Sequence, residues 1–306
     1  MTLTLPTLLF LTALNAAPLA GPAEVTVPPP AVAPAPASAP GTAPGPGPAV
    51  AAVVVTPNPA EPWLERIEEK ASALSTLQAR LVWKRVEPLR GDEQTRFGRL
   101  VYAARKPARF AVHFERTWID VDGKKQPVVQ NRWYIYDGVW LVEKLEDKKQ
   151  FIKRQVGPLP NQADPASRAE DPLLSGNGPF VLPLSLRKAE VLARFNVKLL
   201  DSAEPEDDEE SDELAKRLKD ALRLRFTVRP PRQMEFTAVD LWYDRATLLP
   251  LRVVTLDKRG NESTLGLHKH EINAPIDESL MDTTEPKAGW NVTVTPWEGR
   301  SPATEP

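Results

Sequence analysis

Cysteine is missing from all 306 residues. The chain therefore has no disulfide, no thiolate metal ligand, no thiol nucleophile and no cysteine on which a lipid could be placed. Histidine is scarce too, three in all, which leaves the commonest general base and zinc ligand few places to stand. Neither sign of charge dominates: 39 Lys and Arg face 41 Asp and Glu, a formal net charge of −2. Such a balance sets up no overall field for nucleic acid or an anionic membrane surface, so nucleic acid is not an expected partner. The sequence also has no G-x-S-x-G elbow, no H-E-x-x-H, no P-loop and no G-x-G-x-x-G. The expectation is a protein that is not an enzyme and needs no cofactor.

Proline is abundant but uneven, and its distribution divides the chain. Thirteen of the 33 prolines fall between Pro22 and Pro62. Ahead of them, residues 1–23 carry an apolar core from Leu3 to Leu14 followed by small residues. That core is short of the roughly 20 residues that span a bilayer, so it reads as a cleaved secretory signal, with Gly21 suitably small for a cut after Ala23. Residues 24–60 are almost all Pro, Ala, Gly and Val, a composition too poor in packable side chains to order itself, and read as a disordered linker. Residues 61–295 read as one domain, interrupted near 204–220 by an acidic insertion with eight acids between Glu204 and Glu213, and residues 296–306 as a flexible tail.

Within the domain the pattern is mostly that of strands. Gln94 to Phe151 holds five runs of β-branched, aromatic and aliphatic residues, each closed by a polar turn. In the clearest, Phe110, Val112 and Phe114 alternate with Arg109, Ala111, His113 and Glu115. Asp122-Gly123 and Asp137-Gly138 are hairpin dipeptides, because glycine tolerates the positive φ of a primed turn. Before this meander, Glu61 to Ala79 spaces Trp63, Leu64, Ile67, Ala71, Leu74 and Leu77 at three and four, which predicts an amphipathic helix laid on the sheet, running into a strand over Arg80–Glu87. Pro183 to Phe195 predicts a second helix, with Ser185 as its cap, after a Pro-rich loop; together they make a candidate lid. A second meander follows from Leu222 to Glu271, its arginines alternating with apolar positions and read as the wet face of the sheet. About ten strands in one curved antiparallel sheet are expected, forming a half-open barrel in a mainly β fold.

The chemistry-bearing residues are few. His268 and His270, two apart on a predicted strand, would face the same way, but two ligands make no metal site and surface imidazoles explain them. Asp120 and Asp122 are explained by the hairpin. What stands out is the aromatic and aliphatic load at Trp83, Leu100, Tyr102, Phe110, Val112, Phe114, Trp133, Ile135, Trp140 and Phe226. Two readings stay open for it: a well-filled core, or an apolar concavity that holds lipid.

Several short motifs, in order, bear on that choice. Gly98-Arg-Leu100, Arg105-Lys106-Pro107, Arg109-Phe110 and Tyr136-Asp137-Gly138 with Trp140 are followed by Gly176-Asn177-Gly178-Pro179-Phe180. Then come Asp257-Lys-Arg-Gly260-Asn261-Glu-Ser-Thr264, Asn273-Ala-Pro-Ile276-Asp277 and Pro286-Lys-Ala-Gly289-Trp290. Taken together they resemble the outer-membrane lipoprotein carrier (LolA-like) family, over about Glu61 to Val294. The resemblance implies an open β-barrel capped by helices, acting as a monomer, whose cavity shields lipoprotein acyl chains or other lipid in the periplasm between a membrane-bound donor complex and an acceptor. It makes Arg105 and Lys106 the candidates for a basic latch on the lid. The anchored acceptor of that fold needs a lipidated cysteine, so the soluble carrier is the expected role. A periplasmic sensor of lipoproteins that binds a protein partner through the same fold is the alternative.

Overall fold

Strand β1 (Thr76–Glu87) is the middle of the molecule rather than its edge. In the computed structural model, the described residues are 58–89, 91–105, 107–121, 124–157, 181–202, 212–230 and 234–296. The expected signal, nearly all of the linker, the tail, the acidic run through 211, Lys106, the Asp122-Gly123 turn and the Gly176–Phe180 motif lie outside them. One meander leaves β1 in one direction: β2 (Asp92–Ala103), β3 (Arg109–Val121), β4 (Lys124–Tyr136), β5 (Trp140–Leu145) and β6 (Gln150–Gln155). The other returns to it: β7 (Phe195–Leu200), β8 (Leu222–Val228), β9 (Phe236–Tyr243), β10 (Pro250–Asp257) and β11 (Glu262–Ile272). β11 then pairs antiparallel with β1, so the two meanders fuse into one twelve-stranded sheet that does not close.

The last strand, β12 (Asn291–Thr295), corrects the expectation of a purely antiparallel sheet of about ten strands. It lies parallel to β6. After β11 the chain crosses the outer face of the sheet and arrives at the far edge already running in β6's direction. Register slips at Gln78/Arg80, Phe97/Gly98, Phe114/Arg116 and Pro250/Arg252 place bulges in the strands. Bulges bend the strand that carries them, which is how so wide a sheet curves around a core. The mainly β, half-open architecture is therefore the one expected.

Among the described residues, three helices accompany the sheet. α1 (Glu61–Ser72) carries Pro62 in its first turn, where no hydrogen-bond acceptor is needed, and turns Leu64 and Ile67 inward. It stops seven residues before the predicted Ala79. Thr76 and Leu77 are claimed by the sheet instead: Leu77 pairs with both Tyr102 and Ile272 and is fully buried. α2 (Lys188–Arg194) is shorter than the predicted 183–195, and its start is capped from outside: Lys188 donates its backbone N–H to Glu68 Oε2 at 3.0 Å. Ser185 lies outside the helix, and Phe195 already belongs to β7. α3 (Asp212–Lys219) turns Leu214 and Leu218 against Trp242 and Leu251 on the outer face, so this end of the acidic insertion is packed and not merely solvated.

Candidate functional site

The two faces of the sheet have different fillings. The inner face gathers side chains from β1 to β5 and β7 to β11 around one large apolar cluster, covered by Leu64 and Ile67 of α1 and by Val181, Leu182, Leu184, Leu186 and Val191. The outer face carries two smaller clusters. One gathers Val101, Ala103, Ala111, Ile135, Val142 and Phe151 under Met281 of a 3-10 turn (Glu278–Met281), and the other lies beneath α3. Period-two alternation cannot say which face is which, and the outward positions of β3 are not uniformly wet: Ala111 is buried like Val112, while His113 and Glu115 are only partly covered.

Seven of the ten candidate residues meet on the inner face: Trp83, Leu100, Tyr102, Phe110, Val112, Phe114 and Phe226, none more than 5% exposed. The other three do not join them. Ile135 lies in the outer cluster, and Trp133 packs against it, stacked flat on His113 at 3.8 Å. Trp140 lines an outer cleft of about 490 Å³ beside Pro107 and Met281. The single β4–β5 alternation sends Tyr134, Tyr136 and Leu141 inward and these three outward.

Of the two candidate latch residues, Lys106 lies outside the described residues. Arg105 pairs with Glu278 of the 3-10 turn, on the outer face and away from α2. The inner cover is held by another set: Lys188 Nζ lies 3.7 and 3.6 Å from Glu61 and Glu65 of α1, and Glu68 caps α2. These contacts are exposed or half-buried, and pairs of that kind contribute about 0–1 kcal/mol each. The cover is therefore attached to the sheet mainly by its apolar side chains.

The motifs that carried the resemblance turn out to be joints. Gly138, at φ +106, faces Pro107 so closely that a Cβ would sit 2.0 Å from the ring, which sets Pro107 directly against the Asp-Gly hairpin. Asp137 Oδ1 accepts from the N–H groups of Val139 and Trp140, while Oδ2 accepts from Thr283 Oγ1 at 2.5 Å. Asn273, at φ 56, accepts from the N–H groups of Ser75 and Thr76 and so ties the end of β11 to the start of β1. At Gly98 a Cβ would meet the His113 carbonyl oxygen at 2.0 Å, where the β2–β3 bulge brings the backbones together.

Alternation also concealed a polar group on the inner face. Arg96 shares the facing of Leu100 and Tyr102 and is 8% exposed, its guanidinium 4.8 Å from the Trp83 ring centre and 5.7 Å from that of Phe114. Burial, and next the charge of Arg132, lower its pKa from the usual arginine value. Arg132 itself pairs with Glu143. An arginine in phase with Leu100 and Tyr102 in the run RFGRLVY is the available signal. The arginines of the second meander are expected on the wet face of the sheet. That reading holds only in part. Arg225 is partly exposed, but Arg252 is 4% exposed and lies 5.6 Å from the Trp242 ring, and Arg223 lies over the same ring at 4.6 Å.

The histidines lie outside the inner face. Lys269, at φ 52, marks a register slip between His268 and His270, so simple alternation does not run through the pair. His270 makes a 3.1 Å hydrogen bond with the Pro250 carbonyl, and burial, helped by the charge of Arg217, pulls its pKa down to about 4. No helix among the described residues is long and apolar enough to cross a membrane, a statement that does not bear on strands.

No family model and no curated protein matches the sequence. Among solved structures, the chain is similar to an uncharacterized conserved protein from Thermus thermophilus, at 14% identity and a TM-score of 0.42, covering 77% of this chain and 98% of that one. It is similar to a LolA superfamily protein from Nitrosomonas europaea at 13% identity and a TM-score of 0.33, over 72% of this chain and 97% of that one. It is also similar to the Pseudomonas aeruginosa MucA/MucB complex at 18% identity and a TM-score of 0.35, over 72% of this chain and 60% of that one.

Proposed function

We propose that the protein is a periplasmic carrier that shields the acyl chains of a lipoprotein or another lipid on the inner face of its sheet, without catalysis. The observation that supports this most is the cover: an inner face lined by Trp83, Leu100, Phe114 and Phe226 is closed by α1 and residues 181–194 through apolar packing and a few weak polar ties. A carrier needs a cover that gives way, because the ligand's own apolar surface then takes the place of the cover against the sheet. A membrane-bound donor and an acceptor would load and empty it.

The test is photocrosslinking with a fatty acid that bears a diazirine near its chain end, followed by peptide mapping. Labels at Leu100, Phe114 or Phe226 are expected. Labels confined to the outer cleft around Trp140 and Met281 would sink the reading, as would saturable binding of no acyl probe at all. Isolation of the chain from its envelope with a stable protein partner and no lipid would favour the sensor role.

A further inference from the structure

The inner face is apolar except at one end. There Arg96, Arg132, Tyr134 and Glu143 come together beside Trp83 and Phe114. The charges do not balance: two guanidinium groups face one carboxylate, and that carboxylate is taken by Arg132. The hydrogen bonds of Arg96 go to neutral oxygens, Gln94 Oε1 at 2.8 Å and the Tyr134 hydroxyl. Three buried donors in this group, Trp83 Nε1, Arg96 Nε and Arg132 Nε, have no acceptor among the described residues. Burying a cation without a counter-charge, and N–H groups without acceptors, is costly, and folding alone gives no reason to keep them. The two aromatic rings offset part of the cost for Arg96 and, at the same time, hold its guanidinium in place.

We infer that Arg96, Arg132 and Trp83 form a subsite for an oxyanion head group, phosphate or carboxylate, of an amphiphile whose chain lies along the inner face past Phe114 and Leu100. This rests on the carrier reading and deepens it. An oxyanion brings the missing negative charge and enough lone pairs for the unmatched donors, and arginine's planar fork suits both phosphate and carboxylate. Glu143 is the internal stand-in: it occupies Arg132 while the site is empty and competes with an incoming anion. The chain fixes where the ligand lies, and the subsite fixes which end goes first.

The experiment displaces a neutral fluorescent acyl probe from the whole chain with dodecyl phosphate, dodecanoate, dodecanol and inorganic phosphate. At least one of the two anionic amphiphiles is expected to bind tenfold or more tighter than dodecanol, and which of them does so names the head group. Arg96→Gln should bring that ratio to within twofold while the neutral probe binds as before. Glu143→Gln, which removes the competitor, should raise anion affinity severalfold; it keeps the proposal testable should Arg96→Gln fail to fold. Equal binding of anionic and neutral chains by the unaltered protein, or a preference untouched by both substitutions, overturns the subsite and leaves the carrier reading standing. Inorganic phosphate binding as tightly as dodecyl phosphate also overturns it, since the chain would then add nothing. Failure of the probe and of every amphiphile to bind removes both readings.

Discussion

At the scale of single residues, the strongest constraints fall on positions with little or no side chain of their own to pack. Gly98 is required by the approach of the His113 carbonyl. Gly98→Ala must push a backbone atom aside, a change of the overpacking kind that costs about 1–3 kcal/mol, and a urea melt that matched the unaltered protein would refute the close approach. The histidines provide a second residue-scale prediction. Burial holds the folded pKa of His113 and His268 below the ordinary value and takes His270 to about 4. The unfolded chain therefore binds protons that the folded one refuses as pH falls from about 6.5 to 4, and stability is lost through that window. Asp240 and Asp244 act lower down. Burial alone would raise both, but Arg225 and Arg223 at Asp240, and Thr247 and Arg217 at Asp244, outweigh it, so their contribution goes only as pH drops below the usual carboxylate range. His270→Gln should flatten the melting-temperature profile between pH 6.5 and 4 and leave the steeper acid limb in place; an unchanged slope would show that His270 is not the titrating group.

At the scale of elements, the covering segment behaves differently from the helix that the sequence implied. Its apolar residues at 181, 182, 184 and 186 precede α2 and are buried without helical periodicity. The packing alone decides how they point. Glu68→Ala with Lys188→Ala removes an N-terminal cap and two half-exposed ion pairs, effects worth about 1 kcal/mol in all. Amide exchange in 181–194 should then speed up severalfold while the global melt barely moves; an equal loss of protection throughout the sheet would mean that the cover and sheet open as one unit. α3 gives the opposite lesson. Asp212 and Glu213 close the acidic run and the sequence allows a short helical turn from Leu214 on, but only the fold shows that Leu214 and Leu218, four apart, find Trp242 and Leu251, partners that a local pattern of charge hides.

At the scale of the whole molecule, the seam between β1 and β11 turns two meanders into one sheet. Asn273 closes it with three hydrogen bonds to Ser75 and Thr76 through one side-chain oxygen, at a φ of 56 that asparagine tolerates and alanine does not. Asn273→Ala should cost about 1–3 kcal/mol, read as a lower urea midpoint, from lost hydrogen bonds and backbone strain together. A midpoint unchanged within error would show that strand pairing alone holds the seam.

The sequence by itself determined the strand-rich class, the order of the elements up to β11, the absence of thiol chemistry and the approximate bounds of β7 to β11, because alternation, turn dipeptides and composition are local and survive without partners. It also determined that Phe110, Val112 and Phe114 share a face. Only the tertiary structure decided which face that is, that Ile135, Trp133 and Trp140 turn the other way, that β12 runs parallel to β6, and that Arg96 is buried among aromatics. A period of two specifies sides but gives them no names. The names come from what the chain lays over each side, and that packing joins residues far apart in sequence.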